Sequence, residues 1–416
     1  MSDAPEREVR RLAVIGLGRV GLPLALTFAR SGLDVVGIDA DAERVAKLRA
    51  GQFPFLEKNG PEALHAALRL GFETTTDLAR AAGVDAIVLT IGTPVDEHMN
   101  PVFTQIQSVL DGLRGVLSEG QLLVLRSTVA PGTTQLVARL IERATGLRVG
   151  ADLQLAFCPE RIAEGNSFDE IGRIPQIVGG ITLTCTRRAA ALFGKICGEV
   201  LETSPVAAEL AKLYCNMYRY IDFAIANEFM IIAQHHGAEI HEIVHLVNHG
   251  YTRGGLKSPG LTSGPCLYKD GFFLTSHLPF GELISTAWKI NETVPAFLLG
   301  LVRVERTLDG LTAGILGLAF KRDIDDTRDS LAFKLRRLLW MENCRTLLHD
   351  PYVESDDLEK VLAESDVLFL TMNHEAYRND IRGMLRRARP EAVVCDVWNL
   401  TGTGRLVYRA DEVGTS

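Results

Sequence analysis

Gly16-Leu17-Gly18-Arg19-Val20-Gly21 constrains this chain most, because it stands between an apolar run, residues 11–16 (RLAVIG), and a helical stretch, residues 22–30. A strand that turns through G-x-G-x-x-G into a helix belongs to a parallel βαβ unit. In such a turn Gly16 permits the tight reversal, Gly18 lets backbone approach a pyrophosphate, and Gly21 lets helix and sheet pack closely. The helix N-terminus, with Val20 and Gly21 just ahead of it, then faces the phosphates. Asp39 ends a second apolar run (34–39, DVVGID) about 20 residues on, where a carboxylate accepts from a ribose hydroxyl. A carboxylate there repels a 2′-phosphate, which favours NAD over NADP. Arg44 pulls the other way, since a nearby guanidinium can accept that phosphate.

Runs 85–92 (DAIVLTIG) and 121–127 (QLLVLRS) continue the alternation. Near-continuous apolar strands between helices indicate a parallel sheet covered on both faces. Thr93 and Thr128 follow two of these strands, at the ends where open α/β sheets bind ligands; the alternative is that they cap the following turns. From Pro205 the chain has no Gly or Pro until Gly237. That predicts one long helix, roughly 45 Å if unbroken at 1.5 Å per residue. A helical stretch at 240–247, a Gly/Pro/Ser-rich loop at 250–265 and helices from 283 follow. Strands return at 312–317 (TAGILG), 366–371 (DVLFLT) and 392–396 (AVVCD), and the tail beyond Gly402 reads as frayed. The order is α/β, then helical, then α/β, with no visible sequence repeat between the two α/β parts.

The balance of 47% hydrophobic and 23% charged residues is that of an ordinary globular chain. A net charge of -8 argues against a nucleic-acid partner but not against a small anionic ligand held by local cations. The charged N-terminus has no apolar h-region, and no run approaches the ~18 residues that span a bilayer. The expectation is therefore a cytoplasmic protein without a membrane partner. The 7 cysteines include no CxxC pair and no Cys/His metal spacing, so no metal site is expected and the thiols read as reduced.

Three segments carry polar groups in apolar surroundings. In Cys158-Pro159-Glu160-Arg161-Ile162-Ala163-Glu164 two carboxylates lie four apart and share a face if the segment is helical. A buried glutamate there can serve as a base. Lys212 and Asn216 lie four apart on the long helix. Gly264-Pro265-Cys266-Leu267-Tyr268-Lys269-Asp270 closes the Gly/Pro/Ser loop; a helix beginning near Pro265 puts Cys266 in its first turn, where a thiolate is stabilised. Taken singly, each has a plainer reading: a lysine keeping its head in water, a core thiol, a solvated acidic face.

Together, in this order, the segments resemble the UDP-glucose/GDP-mannose dehydrogenase family of nucleotide-sugar 6-dehydrogenases. The likeness runs from GLGRVGLPLA through DADAERVAKLRAG, IGTP, STVAPGTT, CPERIAEG, AELAKLYCNMYRYIDFAIANE, GPCLYKD and INETVP to GLAFKRDIDDTRDS. It implies two Rossmann-like doubly wound α/β domains joined by a long central helix and a helical dimerisation region. The expected boundaries are 1–204 for NAD binding, 205–303 for the central part and 304–416 for UDP-sugar binding. It implies a four-electron oxidation of a C6 hydroxyl, with two NAD reduced in turn. Cys266 would be the nucleophile, Glu160 the carboxylate tied to thioester hydrolysis, Lys212 and Asn216 the oxyanion's partners, Asp270 the acid acting with Lys212, and Thr128 the holder of a water. Thr93, Arg44, Glu164 and Arg328 would join the glycines and Asp39 around the cofactor. Arg161, Ile162, Gly264 and Lys321 would line the substrate. The resemblance further implies a homodimer in which Arg253 reaches the neighbouring subunit's sugar.

The chain departs from the family pattern at Ser263 and Pro265, where the cysteine loop usually has glycine, at Trp398, often a basic position, and at Phe103, often acidic. Two other readings compete. A two-electron β-hydroxyacid dehydrogenase of the 6-phosphogluconate type shares the Rossmann start, the long helix and a Lys/Asn pair, but needs no catalytic cysteine and no second α/β domain. A non-catalytic nucleotide-sugar-binding regulator would have no use for the full set of catalytic side-chain types.

Overall fold

Strands buried on both faces need apolar residues at nearly every position, and four short runs supply them: every residue of β4 (Ala86–Leu89), β5 (Leu122–Leu125), β6 (Gln154–Phe157) and β7 (Gln176–Gly180) is buried, Gln154 and Gln176 being the polar ones. They lie in an eight-stranded sheet with β1 (Arg11–Ile15), β2 (Asp34–Ile38), β3 (Glu73–Thr75) and β8 (Val200–Thr203), in the order β3-β2-β1-β4-β5-β6-β7-β8. All neighbours are parallel except β6 and β7. Strand order reverses between β1 and β4, where Leu12 pairs with both Val35 and Ala86. A ligand crevice opens beyond the strand ends at such a reversal.

The computed structural model describes residues 8–275, 278 and 281–414. The chain divides into two units, one running to Cys215 and including Phe272–Leu278, the other comprising Asn216–Gly271 and the chain from 279 onward. The first contains the eight-stranded sheet, with apolar clusters on its two faces built around residues such as Phe28 and Leu24 on one side and Phe157 and Leu123 on the other.

The second contains a five-stranded sheet in the order β10-β9-β11-β12-β13: β9 (Thr312–Leu316), β10 (Arg345–His349), β11 (Val367–Leu370), β12 (Val393–Asp396) and β13 (Val407–Arg409). The expected frayed tail is instead ordered. β13 runs antiparallel to β12, and Tyr408, 4% exposed, fixes it by hydrogen-bonding Asp396. Burying one aromatic ring holds a short edge strand that no periodicity announces.

The two sheets repeat one device. Gly16 N donates to Ile38 O (2.7 Å), Leu17 N to Asp39, and Thr90 Oγ1 to the carbonyls of Ile15 and Gly16. In the second sheet Gly317 N donates to His349 O (2.8 Å), Leu318 N to Asp350, and Thr371 Oγ1 to the carbonyls of Leu316 and Gly317. Both units are Rossmann-like α/β domains.

The long helix predicted from Pro205 is present as Pro205–His235, and Ile240–Asn248 follows it. No helix among the described residues is long and apolar enough to cross a membrane.

Candidate functional site

In the first unit the glycine turn connects β1 to the helix Gly21–Arg30. A Cβ on Gly21 would lie 1.8 Å from Gly16 O, and one on Gly16 (φ +95°) would lie 2.7 Å from Thr90 O. Both glycines are required by close backbone approach. A Cβ on Gly18 would meet nothing within 4 Å, so that backbone faces open space. This is a cradle for a pyrophosphate at a helix N-terminus. Asp39, at the end of β2, accepts from Leu17 N (2.6 Å), Asp41 N (2.9 Å) and Arg44 Nη1 (2.9 Å). The carboxylate and the competing cation of the sequence are thus one ion pair. Thr93 Oγ1 donates to Thr128 O at 2.6 Å, which brings together the two threonines that follow β4 and β5.

Residues 158–166 form an irregular loop. Glu160 and Glu164 therefore do not share a helical face. Glu160 Oε1 accepts instead from its neighbours' amides, Arg161 N (2.7 Å) and Ile162 N (2.8 Å), a local pattern that competes with helix. Its Oε2 accepts from Arg126, and the pair is buried. Arg126 also donates to Cys158 O (3.2 Å) and Gln176 Oε1 (2.9 Å). Burial pushes the Cys158 thiol far above its ordinary range, so that cysteine is a core group and not a nucleophile. Arg161 donates to Pro175 O. Glu164 lies 4.0 Å from Arg19 of the glycine turn, whose guanidinium stacks over Phe55. Glu57 accepts from Gly165 N and Ser167 N and so ties down the far end of the loop.

Arg126, Glu57 and Glu209 are absent from the sequence-based candidates. Glu209 is fully buried, accepts from Gly132 N, Thr134 N and Thr134 Oγ1, and is raised above the usual carboxylate range by that burial. It fixes the turn that follows Thr128. The available signal was a charge directly after an apolar strand, LLVLRST, for Arg126, and a charge inside a mostly apolar stretch, VAAELAKL, for Glu209.

Lys212 is half-buried on the first-unit part of the long helix. In the second unit Asn216 Nδ2 donates to Asp270 Oδ2 at 2.6 Å, and both side chains are buried. Cys266 is exposed and immediately precedes the helix Leu267–Thr275, whose Asp270 N bonds Cys266 O (3.1 Å). Gly264 (φ +103°) is pressed so close to Phe320 that a Cβ would lie 2.4 Å from the ring. Asn248 brackets the loop of Arg253, accepting from Gly255 N and Leu256 N. Arg253 itself is exposed over Tyr251. Lys321 is half-buried, and Arg328 is exposed with its guanidinium on Asp326 (2.6 Å). Among the described residues no group of His, Cys, Asp or Glu side chains has the arrangement of a metal site.

Three family models match successive segments: the NAD binding domain of the UDP-glucose/GDP-mannose dehydrogenase family at residues 10–197, its central domain at 206–293 and its UDP binding domain at 314–403. The chain belongs to the UDP-glucose/GDP-mannose dehydrogenase family. It is similar to the UDP-N-acetyl-D-mannosamine dehydrogenase of Pyrococcus horikoshii, 34% identical over 97% of each chain. It also resembles the enzyme of that name from Yersinia pestis, 30% identical over 88% of this chain and 94% of the other. The solved UDP-D-ManNAc dehydrogenase structure from P. horikoshii superposes with a TM-score of 0.86, covering 91% of this chain and 93% of that one.

This family member is an NAD-dependent nucleotide-sugar dehydrogenase, and its glycine turn and Asp39 fit that cofactor. Its departures from the family pattern have structural partners. Ser263 Oγ accepts from Leu331 N, the first amide of the helix Leu331–Met341. Trp398 packs on Gly260, where a Cβ would lie 2.3 Å from the indole, and its Nε1 donates to Thr371 O. Phe103 packs against a core cluster of the first sheet.

Proposed function

We propose that this dehydrogenase oxidises the C6 hydroxyl of a UDP-sugar to the carboxylate, a four-electron reaction through a thiohemiacetal and a thioester on Cys266. One observation carries the reading: an exposed thiol stands at the N-terminal end of a helix whose buried Asp270 is gripped by Asn216. A helix N-terminus favours the thiolate, the nucleophilic form.

NAD, when bound, accepts the hydride of each oxidation. The remaining work falls to this chain. The glycine turn and Asp39 hold the dinucleotide, with Thr93, Glu164 and Arg328 as further contacts. Asp270, Lys212 and a water on Thr128 take the proton of the alcohol. Cys266 Sγ adds to the aldehyde carbon, so the aldehyde is retained and can be oxidised again. The Lys212 ammonium and Asn216 amide stabilise the oxyanion as it forms. Water then releases the acid, with Glu160 as its partner. Arg161, Ile162, Gly264 and Lys321 line the sugar nucleotide. The names of the P. horikoshii and Y. pestis relatives support a UDP-N-acetylhexosamine, with UDP-N-acetyl-D-mannosamine first.

The test is a panel of UDP-sugars with NAD, counting NADH per sugar consumed. The expected count is two. One NADH would favour a two-electron dehydrogenase, and none would favour a binding protein. Cys266→Ser is expected to lose turnover while binding both ligands; full uronate production by that variant would remove Cys266 from the reaction.

We further propose a homodimer along the long helix, with Arg253 supplied to the partner. Tyr218, Ile225, Phe229 and Ile232 recur at helical spacing and are 73%, 40%, 44% and 48% exposed, an apolar stripe of the kind that marks an interface. Light scattering on a sizing column should give twice the chain mass, and Ile225→Glu with Phe229→Glu should halve it. A monomeric parent protein would refute the dimer.

A further inference from the structure

We propose that Arg126 is a positioning residue for the hydrolytic half of this reaction, acting through Glu160; the inference rests on the four-electron reading above. Arg126, Glu160, Gln176 and Phe193 all lie in the first unit of the chain. Arg126 follows β5, is 2% exposed, and is held on several sides. It donates to Cys158 O and Gln176 Oε1, and its guanidinium carbon lies 5.1 Å from the centre of the Phe193 ring. Gln176 in turn donates to Pro159 O (3.1 Å) and Ile177 O (2.8 Å). The guanidinium is therefore fixed before it meets Glu160.

The consequence lies in the acceptor count. A carboxylate offers about four lone-pair positions. Arg161 N and Ile162 N occupy the two on Oε1, and Arg126 Nη2 occupies one on Oε2. About one position is left, on the oxygen that Arg126 orients. That position accepts a proton from a water and aims its oxygen. In thioester hydrolysis the water oxygen bonds the acyl carbon and the C–S bond breaks. One water proton ends on the sulfur, the other passes through Glu160 to solvent, and nothing is oxidised or reduced. Without Arg126 the carboxylate, still held at Oε1, would leave Oε2 unoriented and lose that aim.

The experiment compares Arg126→Gln, Arg126→Lys and Glu160→Gln with the parent enzyme. Each is mixed rapidly with NAD and UDP-N-acetyl-D-mannosamine, or with the panel sugar it turns over. NADH per site in the first turnover, the steady rate and the intact protein mass are read together. Arg126→Gln is expected to keep a first-turnover burst of two NADH per site while its steady rate falls about 10²-fold, as loss of a base does. It should also carry the mass of a nucleotide-sugar acyl group on Cys266. Glu160→Gln should match it, and Arg126→Lys, which keeps a buried cation, should recover part of the rate and carries the test should the glutamine variant not fold. Unchanged turnover in both Arg126 variants overturns the inference. So does a burst that shrinks in step with the steady rate on an unmodified Cys266, the mark of a structural role. A parent enzyme yielding one NADH per sugar overturns the four-electron reading itself. A parent yielding two beside unmodified Arg126 variants removes the Arg126 inference alone.

Discussion

Asp39 spends both oxygens on positions that decide which dinucleotide fits. Oδ2 accepts from Leu17 N inside the glycine turn and from Arg44, while Oδ1 accepts from Asp41 N. Arg44 also lies 3.4 Å from Asp41, so the cation suited to a 2′-phosphate is already occupied by acids. Asp39→Ser removes the ribose acceptor and releases Arg44. A hydrogen bond to a charged group contributes about 1.5–3 kcal/mol, so the NAD dissociation constant is expected to rise roughly 10- to 100-fold. NADP should become a usable cofactor, and adding Arg44→Ala should cancel that gain. Titration of both dinucleotides against the two variants decides it; an Asp39→Ser protein that still rejects NADP would show that Arg44 is not the arbiter. This residue was legible in the sequence because its position follows from the glycine turn. Arg126 was not. A charge directly after an apolar strand reads as the strand's end, and only folding shows that it turns back beneath residues 158–162.

The loop ahead of Cys266 is an element whose shape depends on two contacts within the second unit. Asn227 brackets Gly260 by donating to its carbonyl (3.1 Å) and accepting from its amide (2.9 Å), and Gly264 adopts φ +103° against Phe320. Gly264→Ala adds both backbone strain and a clash with a ring, each about 1–3 kcal/mol. The loop must then move, and Cys266 with it. The expected result is a melting temperature lower by several degrees and turnover reduced at least about 10-fold. A 1 Å misplacement at a reacting centre costs up to ~10²-fold. A Gly264→Ala enzyme with native stability and rate would refute the tight fit. Elements like this one leave little trace in a sequence, because their conformation is set by neighbours distant along the chain. The strands β1, β2, β4, β5, β9, β11 and β12 were legible as apolar runs, whereas the interior strands β6 and β7, each opening on a glutamine, were not. Nor were the edge strands β3, β8, β10 and β13: they are short and partly exposed, so neither composition nor alternation marks them. The long helix was legible from its freedom from Gly and Pro and its richness in Ala, Leu, Met and Ile.

At the scale of the whole chain, the two Rossmann-like units share their strand-end geometry but not their capacity for a dinucleotide. In the second, Asp350 Oδ2 accepts from Leu318 N, Ala319 N and His374 Nε2, and Oδ1 from Tyr352 N. His374 Nδ1 accepts from Asp323 N, so its proton sits on Nε2 and points at Asp350. The acid that answers to Asp39 is thereby sealed. The connection from Gly317 to the helix Leu331–Met341 is also far longer than the one from Gly16 to Gly21–Arg30, leaving no short glycine turn at a helix N-terminus. One NAD per chain is therefore expected by calorimetric titration, and a second site of similar affinity would contradict this. A single cofactor site imposes an order on a four-electron oxidation: the first NADH must leave and a second NAD enter before the sugar can be oxidised again. An aldehyde not bonded to the protein could escape or hydrate during that exchange. Retention must come from a bond that outlasts cofactor exchange, the role proposed for the Cys266 sulfur. With NAD limited to one equivalent per site and a carbonyl trap such as hydroxylamine present, the enzyme should release no trapped aldehyde. Cys266→Ser, if it performs the first oxidation at all, should release one trapped aldehyde for each NADH formed. Trapped aldehyde released by the parent enzyme would show that no bond to Cys266 retains the intermediate.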